Sequence, residues 1–272
     1  MDISTKNLTT PAPKDRRQFL GMTAATITSR LFASDPTVAG GNSVAIKAIA
    51  FDAFAIFDPR PVFALTEQLF PGKGAELSNQ WRARQFEYTW LRNSMGRYVD
   101  FWHVTADALK YTAAQLQLTL SPGQSAQLMA AYLELKPWPD VVPVLQELRQ
   151  RKVRLALLSN LTATMLQSCV KVSRLDGLFD FQLSTDRVSA FKPDPRAYNM
   201  GLDAFGISRE EIAFVAFAGW DAAGAKTFGY PTYWANRLAL PAEELGVTAD
   251  MASKDLKKLP GFIETRRSGS KS

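Results

Sequence analysis

The sequence predicts an α/β fold in which a doubly wound parallel sheet carries an inserted helical cap. Three observations lead there. The apolar run from Val44 to Phe51 stops abruptly at Asp52, as a strand buried on both faces does. Helical periodicity then dominates from about Val62 to Leu135. Beyond Pro137 and Pro139, short strand-like and helix-like segments alternate, as they do when a parallel sheet is covered by helices.

In order along the chain, Val44–Phe51 reads as the first strand. Glu76–Arg92, Asp100–Leu116 and Ser121–Leu135 read as amphipathic helices of the cap. After them come a helix at Val141–Arg149, a strand at Val153–Leu158, a helix at Ala163–Val172 and a strand at Phe179–Ser184. The remaining pattern is a helix at Arg196–Phe205, a strand at Ile212–Phe217, a helix at Trp220–Thr227 and a strand at Pro231–Ala235. Residues 45–61 and 140–265 are therefore expected to form a Rossmann-like core, with 62–139 as the cap.

Composition narrows the function. The chain has 272 residues, 46% hydrophobic and 21% charged, enough apolar content for a sizeable core and unlike a disordered or collagen-like chain. Its net charge of +6 comes from the ends: residues 1–44 hold five basic and three acidic groups, and 253–272 hold six and two. The neutral body between them argues against a nucleic-acid groove, which needs a basic stripe on the fold itself. No apolar run reaches transmembrane length, so no membrane partner is expected. A single cysteine, Cys169, and a single histidine, His103, exclude an internal disulfide and any cysteine-rich or multi-histidine metal site. Cys169 reads as packing and His103 as a surface or satisfied side chain. Catalysis must then rest on carboxylates, lysine, arginine and hydroxyls.

The two ends stand apart from the fold. Asp15-Arg16-Arg17-Gln18-Phe19-Leu20 followed by a mildly apolar stretch resembles a twin-arginine export signal, which implies a periplasmic location. Arg30 interrupts the apolar region and Thr37-Val38-Ala39 is an imperfect cleavage site, so the alternative is a basic extension on a cytoplasmic protein. Residues 266–272 form a basic tail.

Ligands of such sheets sit beyond the carboxyl ends of the strands. The residues there are Asp52, Ser159-Asn160, Lys192 and Asp221: an acid, a hydroxyl with an amide, a base and a second acid. Topology alone brings this set to one edge.

These residues lie in recognisable motifs. Phe51-Asp52-Ala53-Phe54, Leu157-Leu158-Ser159-Asn160, Phe191-Lys192-Pro193-Asp194 and Trp220-Asp221-Ala222-Ala223-Gly224-Ala225 resemble the four motifs of the haloacid dehalogenase superfamily. Within it, the segment from Trp81 to Arg92 and Phe228-Gly229-Tyr230-Pro231-Thr232 are similar to the type II L-2-haloacid dehalogenases. The resemblance runs over about residues 45–265. It implies hydrolysis of short 2-haloalkanoic acids through an aspartyl ester, with inversion at C2 and no cofactor or metal. Phosphatases of the superfamily place a second aspartate two residues after the nucleophile, to protonate the leaving group. Here that place holds Phe54, and a departing halide needs no proton. A metal-dependent phosphatase and a non-catalytic carboxylate-binding protein remain the alternatives.

By resemblance, Asp52 is the nucleophile, Lys192 orients it and offsets its charge, and Asp221 directs the hydrolytic water. A plain helix N-cap is the other reading of Asp221. Asp58 reads as a turn acid. Arg82 is expected to grip the halide or substrate, although Arg84 and Arg92 share its helix and spacing does not choose among them. Asn160 would receive the halide and Ser159 the substrate carboxylate, with turn chemistry as the alternative. Tyr198 would lie near the reacting carboxylate, and Phe54, Phe86, Phe101 and Trp220 would wall the pocket. The chain departs from the family pattern at Ile56, Ala216 and Ala218, where threonine, serine and asparagine are common. The aromatic cap helix at Gln80–Leu91 points to a homodimer through the cap.

Overall fold

The computed structural model describes residues 44–268, so the twin-arginine segment and residues 269–272 lie outside the described residues. The first half runs β1 (Ala48–Phe51), α1 (Ala53–Ile56), β2 (Phe57–Asp58), α2 (Arg60–Leu69), α3 (Gly74–Met95), α4 (Phe101–Gln115), α5 (Pro122–Ala131) and β3 (Lys136–Pro137). The second half runs α6 (Val141–Gln150), β4 (Arg154–Ser159), α7 (Ala163–Val172), β5 (Phe181–Ser184), α8 (Pro195–Phe205), β6 (Ile212–Ala216), α9 (Gly219–Phe228), β7 (Thr232–Ala235), β8 (Met251–Ser253) and α10 (Leu259–Ser268).

Six strands pair in the order β5-β4-β1-β6-β7-β8, and every pairing is parallel. The first strand is buried at all four positions and lies between β4 and β6, where the strand order reverses. Alternation along the strands divides the core. Ile49, Phe51, Leu155, Leu157, Ala213 and Val215 pack on one face with α6, α7 and α10. Ala48, Ala50, Ala156, Leu158, Phe214 and Ala216 pack on the other with α8 and α9. This is the doubly wound arrangement expected from the sequence.

Strand β1 begins at Ala48, later than the apolar run suggests. Lys47 still pairs through its backbone with Glu211 and Arg154, but the exposed Val44 has left the sheet. The edge strand β8 and helix α10 had no sequence signal, because Met-Ala-Ser is too short and too mixed to show a period.

Helices α2 to α5 lie between β2 and β3, which pair antiparallel, so the chain leaves and returns at one place. Their apolar residues, among them Leu77, Trp81, Val104, Leu109 and Leu128, join the same core as one face of the sheet. Trp81 Nε1 donates to the Thr105 carbonyl at 2.8 Å and Gln85 to the Thr105 hydroxyl at 2.9 Å, locking α3 onto α4. Cys169 is fully buried with its thiol against the Tyr132 carbonyl, and burial pushes it up to about 11, an inert packing group. His103 is exposed at the start of α4, and its ring pairs with Asp100, a partner not anticipated from the sequence.

Candidate active site

Asp52 follows the central strand, and its amide donates to the Val215 carbonyl of β6 at 2.9 Å. Its side chain caps α1, with Oδ2 accepting from the Phe54 amide at 3.0 Å. Oδ1 accepts from Lys192 Nζ at 2.8 Å, and the same ammonium donates to Asp221 Oδ2 at 2.6 Å. Asp221 Oδ1 accepts from Tyr198 Oη at 2.8 Å. Residues 52, 192, 198 and 221, distant in sequence, thus form one continuous network. Exposure falls from 7% at Asp52 to 1% at Lys192 and Asp221, so Asp52 is the member nearest solvent.

Asp221 is not a helix N-cap. Helix α9 is capped at Ala218, with no side-chain bond, and Asp221 lies in its first turn facing Lys192 and Tyr198. Gly224, one turn on, makes room for the tyrosine: a Cβ there would sit 2.5 Å from Tyr198 Oη.

The charges are interdependent. Burial would lower Lys192, but Asp221 and Asp52 beside it outweigh burial and raise it, so it stays an ammonium. Burial raises Asp221 to about 6; the charge of Asp52 adds to this, and Lys192 opposes it. Burial, reinforced by the Asp221 charge, carries Tyr198 far up, so it remains a neutral donor. Two carboxylates around one ammonium leave a net negative site. Removing Lys192 would strand two buried carboxylates, typically at about 3–5 kcal/mol.

Asn160 joins through its amide. Oδ1 accepts from the Lys192 backbone N–H at 3.0 Å and from the Thr185 hydroxyl at 3.4 Å, while Nδ2 is buried and has no partner among the described residues. Such a donor is costly to leave unmade and marks a place for an acceptor. Ser159 Oγ accepts from the Leu161 amide at 3.2 Å, which is turn chemistry. Asp58 is also a turn acid, bonded to Arg60.

The three arginines of α3 separate cleanly. Arg84 pairs with Glu87 and Arg92 with Asp107. Arg82 lies over the Phe63 ring at 5.1 Å with no carboxylate partner among the described residues, and burial lowers it. A partly desolvated, unpaired guanidinium is suited to an incoming anion.

The aromatic residues are divided. Phe54 packs on Phe217 beside the nucleophile turn, and Phe101 packs edge-on against Phe191, next to Lys192. Trp220 clusters with Phe86 and Trp90, with ring centres 5.2 and 5.5 Å away, and borders an apolar cavity of about 780 Å³ beside α9. That cavity is not lined by Asp52, Lys192 or Asp221. Tyr230, within the Phe228–Thr232 segment, donates to the Tyr198 carbonyl at 2.6 Å. Two contributors had no motif: Asn93 exchanges two hydrogen bonds with the Phe191 backbone, and Arg237 reaches the nucleophile turn. Applying the strand-end rule to β7 would have pointed to Arg237. Among the described residues, no group of three or more histidine, cysteine or acidic side chains is placed to hold a metal ion.

Residues 46–229 match the family model of the haloacid dehalogenase-like hydrolases. The chain is 45% identical to haloacetate dehalogenase H-2 of Moraxella sp. (strain B), over 75% of this chain and 92% of that one. It is 42% identical to the (S)-2-haloacid dehalogenase of Pseudomonas sp. (strain YL), over 81% and 95%. Among solved structures it is similar to L-2-haloacid dehalogenase from Xanthobacter autotrophicus with chloropropionic acid covalently bound. The TM-score there is 0.75 at 34% identity, covering 80% of this chain and 98% of that one. With four motifs in order, a matching fold and relatives aligned over most of both chains, the protein belongs to the haloacid dehalogenase-like hydrolases.

Proposed function

We propose that the protein hydrolyses short 2-haloalkanoic acids to 2-hydroxy acids through an ester on Asp52. The observation that carries the reading is Asp52 itself: a carboxylate at the central strand end, bonded to Lys192, with apolar Phe54 where a phosphatase needs an acid. An Asp52 oxygen attacks C2 opposite the halogen, the carbon–halogen bond breaks and the halide leaves with its electron pair. C2 is inverted. Arg82 and the unpartnered Nδ2 of Asn160 are the groups suited to receive the anion. Water then attacks the Asp52 carbonyl carbon while Asp221 accepts its proton. As the ester C–O bond breaks, Asp221 returns that proton to the departing alkoxide, the 2-hydroxy acid leaves, and Asp52 loses its carboxyl proton to solvent. The (S)-2-haloacid and haloacetate dehalogenases among its relatives support this substrate class. Halide release from 2-chloropropanoate, set against phosphate release from a generic ester with and without magnesium, tests it. Phosphate without halide would overturn it in favour of the phosphatase.

Two further properties belong to this reading. Export to the periplasm rests on Arg16-Arg17-Gln18-Phe19-Leu20, and replacing the arginine pair by a Lys-Lys pair should hold the protein in the cytoplasm. A homodimer through the cap rests on the exposed Trp90, Leu91, Met95 and Tyr111 of α3 and α4. Sedimentation at monomer mass would exclude it.

A further inference from the structure

The nucleophile sits at the head of α1, a helix of only four residues that cannot hold itself together. Asp52 satisfies its first amides. Its last carbonyls have no donor within so short a helix and must be met from outside. Each is. Trp138 Nε1 donates to the Phe54 carbonyl at 3.0 Å, and the Trp138 backbone N–H to that of Ile56 at 3.0 Å. Between them, the Ala55 carbonyl accepts from Arg237 Nε at 3.1 Å and Nη2 at 2.8 Å.

Arg237 is itself fixed. Its Nη1 donates to Asp140 Oδ1 at 2.7 Å and Nη2 to Oδ2 at 3.2 Å, and the Leu256 amide donates to Asp140 Oδ2 at 2.8 Å. The guanidinium lies over the Trp138 ring at 4.8 Å, and Arg60 lies over the same ring at 4.5 Å. The Arg237 and Asp140 side chains are 3% and 9% exposed. A buried ion pair of this kind is a weak stabiliser compared with apolar side chains of the same volume. Its fork, however, holds one carbonyl in one place, which apolar packing does not.

We propose that Arg237 and Trp138 are positioning residues for the dehalogenation step. By holding the three carbonyls of α1 they fix the Phe54 amide that faces Asp52 Oδ2, and so the direction in which the carboxylate attacks. This rests on the reading of Asp52 as nucleophile.

The test compares wild type, Arg237→Lys and Trp138→Phe with 2-chloropropanoate, measuring the rate of first halide release in a single turnover and the melting midpoint. Lysine keeps the charge facing Asp140 but cannot reproduce the guanidinium fork on Ala55. Phenylalanine keeps an aromatic ring, and loses the Nε1 donor and part of the indole's volume. The expected result is a first-release rate lower by roughly tenfold in Arg237→Lys and a few-fold in Trp138→Phe. A merely structural role would lower the melting midpoint and leave that rate per folded molecule unchanged. Should Arg237→Lys fail to fold, Trp138→Phe decides alone. A wild-type first-release rate in Trp138→Phe and in any folded Arg237→Lys overturns the positioning role while the dehalogenase reading stands. A wild type that releases no halide overturns both.

Discussion

Both oxygens of Asp52 and both of Asp221 already accept hydrogen bonds, whereas among the described residues Arg82 on α3 has no carboxylate partner and Asn160 keeps a buried donor unused. The contrast separates two tasks. The attacking group must be held rigidly in advance, because orientation gained during reaction is lost rate. The groups that receive an anion must keep capacity free until it arrives, at a cost of about 1–3 kcal/mol for each buried unmade hydrogen bond. Saturation marks the nucleophile side, and spare donors mark the anion side.

The sharpest break of this contrast is on the saturated side. Lys192→Met leaves Asp52 and Asp221 as two buried carboxylates with no cation between them, and is expected to cut halide release by about 1,000-fold or more. On the anion side, Arg82→Ala should lower kcat/KM by about 100-fold, while Arg84→Ala stays within about threefold. Equal losses in the two arginine variants would erase the distinction drawn from their ion pairs.

Smaller effects separate the two chemical steps. Asp221 is raised to about 6 by burial, so below that pH it is protonated and cannot take a proton from water. Steady-state turnover should fall about tenfold per pH unit on the acid side, while the first halide release in a single turnover changes less. Ala218 caps α9 with no side-chain bond, and with Ala216 it removes polar groups common in the family. Ala218→Asn should speed ester hydrolysis by about fivefold, the worth of one hydrogen bond. Steady-state assays with and without the substitution measure it.

Much of the site is legible in the amino-acid sequence. Asp52, Lys192 and Asp221 stand out because each follows a segment whose apolar pattern marks the end of a strand, and sheet topology brings strand ends together. Asn160 also stands at a strand end and Tyr198 stands out by resemblance; the structure places Asn160 on the Lys192 backbone and Tyr198 on Asp221. What spacing does not supply is the choice of Arg82, since all three arginines fall on one helix and only their carboxylate partners tell them apart. Trp138 is invisible for a deeper reason: it acts on backbone carbonyls, which carry no sequence signature, and Arg237, which does the same, is signalled only by its place after β7. Trp220 packs on Phe86, another residue expected in the pocket wall, and on Trp90.

In the proposed mechanism Asp52 is alkylated and then freed by a water that Asp221 alone must direct. Mixing enzyme with excess 2-chloropropanoate, quenching at short times and weighing the peptide that contains Asp52 tests it directly. The expected result is a burst of halide near one equivalent, a propanoate adduct on that peptide and a longer-lived adduct in Asp221→Asn. A linear halide trace with no adduct on Asp52, in wild type and variant alike, would contradict it.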